Sequence, residues 1–149
     1  MLVALSTLEE SQSIVAEDNN ADVEQLLDYC ATHKNTKLCY HNSDMTLCIH
    51  SNSSYLTEMN ARSRSGGIFS LGLNEFNNTK ETNGYILTPS NIMKHVMSSE
   101  VEAEGVALFH TAKSSELIKT TLEEMEHLQA AIHTQMGNST TDCIINRRL

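Results

Sequence analysis

Positive charge is scarce in this sequence beside negative. Ten Lys and Arg stand against nineteen Asp and Glu, giving a net charge of −9 at neutral pH and a sequence pI near 5.1. Tight, purely electrostatic binding to nucleic acid needs clustered positive charge, so the balance works against that mode, though it does not exclude a local basic patch. Long apolar runs are missing too. None approaches the roughly 20 residues of a membrane-spanning helix, so no membrane partner is expected. The opening Met1-Leu-Val-Ala-Leu-Ser-Thr-Leu-Glu-Glu lacks a positive n-region and meets acid at once, and it does not read as a signal peptide. The four cysteines, Cys30, Cys39, Cys48 and Cys143, include no pair at zinc-knuckle or redox spacing. Without a secretory signal they read as reduced thiols, small apolar fillers in an intracellular compartment, cytoplasmic or nuclear. On the same ground Asn52-Ser-Ser, Asn77-Asn-Thr and Asn138-Ser-Thr read as chance matches to the glycosylation pattern. No glycine-rich phosphate cradle, nucleophile elbow or internal repeat is present.

What is there is an ordinary globular composition. The 149 residues, 40% hydrophobic and 19% charged, suit one domain or one domain with a short flanking piece. Residues 1–20 are weakly patterned and end in the polar Glu17-Asp-Asn-Asn20. Val23, Leu26, Leu27 and Cys30 fall at i, i+3, i+4 and i+7, which predicts a short amphipathic helix with Asp22 as its N-cap, ending at Lys34–Lys37. Leu38–His41 is a short strand candidate. Met45–His50 alternates apolar and polar residues with a strand period. Ser53–Ser65 reads as a polar connection, Gly66-Gly67 as punctuation, and Ile68–Leu71 as the second strand. Asn74–Gly84 is a loop, and Tyr85–Thr88 is a third strand, turned or bulged at Pro89. Ser99-Glu-Val-Glu102 forms a capping box opening a helix to about Lys113. A second helical pattern carries Leu117, Ile118, Leu122, Met125 and Leu128 on one face, read as core packing. Ala131–Met136 is a fourth strand candidate, and Asn138 caps a further helical turn. Strands, helices, a strand and a helix start in this order predict an α/β fold with a mixed sheet.

Five stretches, taken in order and spacing, carry a more specific signal. They are Leu26-Leu-Asp-Tyr-Cys-Ala-Thr-His33, His50-Ser-Asn-Ser-Ser-Tyr-Leu56, Ala61-Arg-Ser-Arg-Ser-Gly-Gly67, Met97-Ser-Ser-Glu-Val-Glu-Ala-Glu-Gly-Val-Ala-Leu108 and Gln135-Met-Gly-Asn-Ser-Thr140. Together they resemble the end of a copia-type retrotransposon Pol polyprotein, from about Val23 to Asn146. The resemblance implies that residues 1–37 are the tail of the reverse transcriptase, its thumb or connection. It implies that residues 38–149 are a partial RNase H-like domain, a mixed sheet with flanking helices. Members of that family continue into further helix and strand, so a C-terminally truncated sheet is expected here, prone to self-association through an open edge.

The same resemblance implies a site. The family's first strand carries His-Ser-Asp-Ala-Ser-Tyr, whose Asp binds catalytic metal; that position is Asn52. The Ala-Glu-Ala-Glu of the following helix ends on a Glu facing the site, here Glu104. The Asp of Gln-Thr-Asp-Asn-Ser-Thr falls on Gly137. Two-metal phosphodiester hydrolysis holds two Mg²⁺ about 4 Å apart, and Mg²⁺ needs anionic oxygens at fixed positions. An Asn carbonyl adds no charge and Gly adds no ligand, so Glu104 alone remains as a weak metal ligand. Asp44 and Asp142 are poor substitutes by position, and Glu102 reads as the capping partner of Ser99. Arg62 and Arg64 suit phosphate contact in a basic loop beside such a cleft, or equally a solvated turn. His50 and His110 read as structural. The implied function is a degenerate RNase H-like pseudoenzyme of a transposable element, ancestrally cutting RNA in RNA–DNA hybrids with Mg²⁺ and alongside the rest of the reverse transcriptase. The rivals are a non-catalytic nucleic-acid-binding or scaffold module and an active nuclease with an unconventional site.

Overall fold

The computed structural model describes residues 2–11, 17–72, 83–132 and 134–145. The chain divides into two units, Met1–Leu38 and Cys39–Leu149. In the first, α1 spans Leu2–Ser11 and α2 spans Glu17–Thr32. The Val23–Cys30 pattern lies in a helix, but the helix starts five residues before Asp22, which therefore sits inside it rather than capping it. Glu17-Asp-Asn-Asn20 holds neither Gly nor Pro, so nothing in the backbone stops the helix there. Its apolar stripe stays largely in solvent, with Val23 and Leu27 exposed and Leu26 half-buried.

The second unit is α/β with a mixed five-strand open sheet. Its strands are β1 (Thr46–Glu58), β2 (Arg62–Gly72), β3 (Tyr85–Leu87), β4 (Ser90–Ile92) and β5 (Thr134–Met136), and its helices are α3 (Glu100–Glu124) and α4 (Ser139–Ile145). The strand order is β3-β2-β1-β5, with β4 also pairing β2. β2 runs antiparallel to β1, whereas β5 runs parallel to it, opposite Ile49–Ser51. The first strand is thus central, between the second and the last. β3 and β4 form one edge interrupted at Pro89, whose missing N–H suits an edge; its carbonyl still accepts from Gly67 N at 3.0 Å.

Several expectations give way. Leu38–His41 is not a strand; Tyr40 and His41 lie beside β3 through side-chain bonds instead, Tyr40 OH donating to Tyr85 O (3.0 Å) and His41 N to Asn83 Oδ1 (2.8 Å). Ser53–Ser65 is not a connection but the continuation of β1, a tight 3₁₀ turn at Met59–Ala61, and the start of β2. Its hydroxyl-rich sequence reads as loop, yet it pairs as a ladder, with a register break between Ser54 and Glu58 where Leu56 takes φ 54°. Asn60 (φ 59°) and Ala61 (φ 53°) turn the chain. Gly66-Gly67 lies inside β2, because α3 passes over it: a Cβ on Gly67 would stand 2.6 Å from Thr111 Cγ2. The loop expected over Asn74–Gly84 falls almost wholly outside the described residues.

The two predicted helical patterns are one helix of 25 residues. It lays Ala103, Ala107, Thr111 and Ser115 against the sheet, one small residue per turn, so that helix and strand approach closely. Of the expected apolar stripe only Leu122 is buried, with Ile118 partly so; Leu117, Met125 and Leu128 are exposed. One core cluster joins Leu47, Ile49, Phe69 and Leu122, and a second joins Met93, Met97, Ala103 and Ala107. Each fully buried large side chain contributes about 1.5–3 kcal/mol. The cysteines are not fillers: Cys30, Cys39 and Cys143 are exposed, and only Cys48 is half-buried, where burial raises its thiol pKa against a lowering hydrogen bond with the Gly72 backbone. No helix among the described residues is long and apolar enough to cross a membrane.

Candidate functional site

Three elements deliver the positions singled out in the sequence. Asn52 lies on the central strand β1, one residue past its last ladder pair with β5. Gly137 follows β5 directly. Because β1 and β5 are parallel, both positions fall just past the same end of the β1–β5 ladder. A Cβ on Gly137 would stand 2.8 Å from Asn52 Oδ1, so the two are immediate neighbours. Asn138 fixes the turn that follows. Its Oδ1 accepts from Thr140 N (2.9 Å) and Thr141 N (3.1 Å), capping α4 as the sequence suggests.

Glu104 comes from α3. Ser99 starts that helix, its Oγ accepting from Glu102 N at 3.1 Å. The Glu102 carboxylate reaches back beyond the cap residue, accepting from Ser98 Oγ (2.7 Å) and Ser98 N (2.6 Å). These bonds, the hydroxyl's first, hold its pKa below the usual carboxylate range. Five residues into the helix from Ser99, Glu104 turns inward onto β1. It is 2% exposed, and its Oε1 accepts from the backbone N of Ser53, beside Asn52, at 3.0 Å. Its Oε2 is buried without a hydrogen-bond partner, as are Ser51 Oγ, Ser53 Oγ and Thr141 Oγ1. Ser53 is a partner that no sequence signal announces, because a backbone N–H leaves no trace in residue type. Asn52 and Gly137, far apart in sequence, thus adjoin one another in the fold, and Glu104 bonds the residue that follows Asn52.

These residues do not fit a two-Mg²⁺ centre. Of the three, only Glu104 is anionic in type, and one of its oxygens is taken by Ser53 N–H; no group of three His, Cys, Asp or Glu that could hold a metal occurs among the described residues. Asp44 lies eight residues before Asn52 in the sequence and outside β1. Asp142 sits in α4.

The basic pair separates. Arg62 and Arg64 lie on β2, not on a loop. Arg64 is 4% exposed and gives its Nε to Glu58 Oε1 at 2.6 Å and an Nη to Ser90 Oγ at 3.4 Å, so it braces the hairpin and is not presented to phosphate. Arg62 is exposed. His50 and His110 are exposed on β1 and α3 and do not join the Glu104 cluster.

No known family model, curated protein or solved structure matches this chain. Its functional reading therefore stands on motif order and on the geometry just described.

Proposed function

We propose that residues 38–149 are a degenerate RNase H-like domain derived from a copia-type retrotransposon, with the preceding helices as the tail of its reverse transcriptase. The observation that carries this reading is the meeting of Asn52, Glu104 and Gly137. Three motifs chosen from the sequence alone, and lying 33 to 85 residues apart by their numbers, come to one end of a parallel strand pair beside one buried acid. A mixed sheet with its first strand central supports the same reading.

On this reading the ancestral domain cleaved RNA in RNA–DNA hybrids with Mg²⁺, and the present one does not. Glu104 retains its place but now accepts a backbone N–H, and the two positions beside it supply no anionic oxygen. What Glu104 does there is tie α3 to β1 through the Ser53 N–H. The test is a hybrid-cleavage assay of the full chain with Mg²⁺ and with Mn²⁺. No cleavage above a no-protein control is expected. Cleavage lost on Glu104→Gln would overturn the assignment as inactive and favour the unconventional nuclease.

A further inference from the structure

Between β2, β4 and α3 lies a cavity of about 120 Å³. A water's share of liquid volume is about 30 Å³, so the space holds roughly four waters. That admits a tetrahedral oxyanion. The glycines Gly66 and Gly67 line its β2 side, where the absence of side chains leaves the space open, although Gly67 N–H is already given to Pro89 O. Asn91 lines it from β4, and His110, Lys113 and Ser114 from α3. The last three stand at i, i+3 and i+4, on one face of the helix.

The lining is cationic in a chain of net charge −9: it contains a Lys and a His and no acidic residue. Among the described residues the ion pairs are Arg64–Glu58 and Lys119–Glu123, so the Lys113 ammonium is not neutralised by a carboxylate. The Asn91 amide and at least one ring N–H of His110 add donors. Ser114 gives its own hydroxyl proton to His110 O at 3.1 Å, which leaves that wall fixed.

We propose that this cavity binds a small oxyanion, a phosphoryl group, with Lys113 as counter-charge and His110 and Asn91 as donors. Its source is either free phosphate or the backbone of a nucleic-acid strand. Gly66 is the ladder partner of Asn52, so the cavity adjoins the candidate site. Only the strand source rests on the RNase H-like reading.

The experiment titrates inorganic phosphate into the full chain at constant ionic strength, following the amide resonances of Gly66, Gly67 and Lys113. Saturable shifts at these amides are expected, weakened by about tenfold or more in Lys113→Gln, since a charge-assisted bond is lost. Lys119→Gln, on the same helix but paired elsewhere, should leave affinity within about twofold. No saturable shift, or equal weakening by both variants, overturns the proposal. A second arm adds a short RNA–DNA hybrid to the phosphate-bound chain. Displacement of phosphate supports the site with a strand as source, and retention supports it with free phosphate, whatever becomes of the RNase H-like assignment.

Discussion

Glu104 is the side chain through which the candidate site can be interrogated singly. Burying a carboxyl with one oxygen unpartnered costs more than burying a carboxamide of the same shape. Glu104→Gln keeps an acceptor for Ser53 N–H, so its melting temperature should equal or exceed the parent's. Glu104→Ala orphans that N–H and leaves a void, and should cost about 1–3 kcal/mol. Denaturant melts of the two variants measure this. A Gln variant as damaged as the Ala variant would show that the carboxyl has another, unseen partner. Arg64 teaches a related lesson at this scale. Its sequence context suits phosphate contact, but residue type cannot say that Glu58 folds back across the hairpin onto it.

At the scale of elements, the contact between β2 and α3 sets how near Glu104 comes to the sheet. Gly67→Ala places a methyl 2.6 Å from Thr111 Cγ2 and close to Phe69 and Pro89, and should cost about 1–3 kcal/mol as an overpacking change. Adding Thr111→Ser removes the opposing methyl while keeping the hydroxyl that bonds Ala107 O and Leu108 O, so part of the loss should return. A double-mutant cycle by thermal melt reads the coupling; strict additivity would contradict it. The start of α3 carries a pH dependence. Because the Glu102 pKa is lower in the fold than unfolded, its contribution is present above the unfolded value near pH 4.5 and is lost as pH falls through the folded one. The parent's advantage over Glu102→Gln should therefore shrink between pH 6 and pH 3 in paired melts. An advantage constant over that range would argue against the Ser98 bonds.

Much at this scale was legible in the sequence. Capping at Ser99 and Asn138 is local chemistry, and the alternation of Met45–His50 marks the central strand. The polar run Ser53–Ser65 was not legible as a hairpin, because its hydroxyl side chains suit loop and ladder alike. The face of α3 was misread for a physical reason: close packing on Gly67 selects the small residues Ala103, Ala107, Thr111 and Ser115 over the larger Leu117 and Met125. The meeting of Asn52, Glu104 and Gly137 was expected from motif order. Which group Glu104 would bond instead of a metal was not.

For the molecule as a whole, a three-residue β5 has no strand on its outer edge among the described residues, and Phe109, Leu117, Met125 and Leu128 leave apolar surface on the helical side. Unpaired edges and apolar surface favour self-association. Light scattering on the full chain should show mass rising with concentration, and a strictly monomeric chain over the same range would count against it. The central claim, that Asn52 and Gly137 are lost metal positions beside Glu104, is open to a more direct measurement. Among the described glycines none has positive φ, and the atom facing the new Cβ at 137 is the end of the flexible Asn52 side chain, so Gly137→Asp is conformationally admissible. Asn52→Asp with Gly137→Asp puts two carboxyls side by side, one residue from the Ser53 N–H that Glu104 accepts, which should lower stability in EDTA by repulsion. Mg²⁺ should reverse this by binding the folded state, by about 2.7 kcal/mol at a hundred times Kd. The decisive measurement is the thermal melt of parent, both single variants and the double variant, in EDTA and in Mg²⁺. A Mg²⁺-dependent rise confined to the double variant is the predicted result, and a rise no greater than the parent's would contradict the claim.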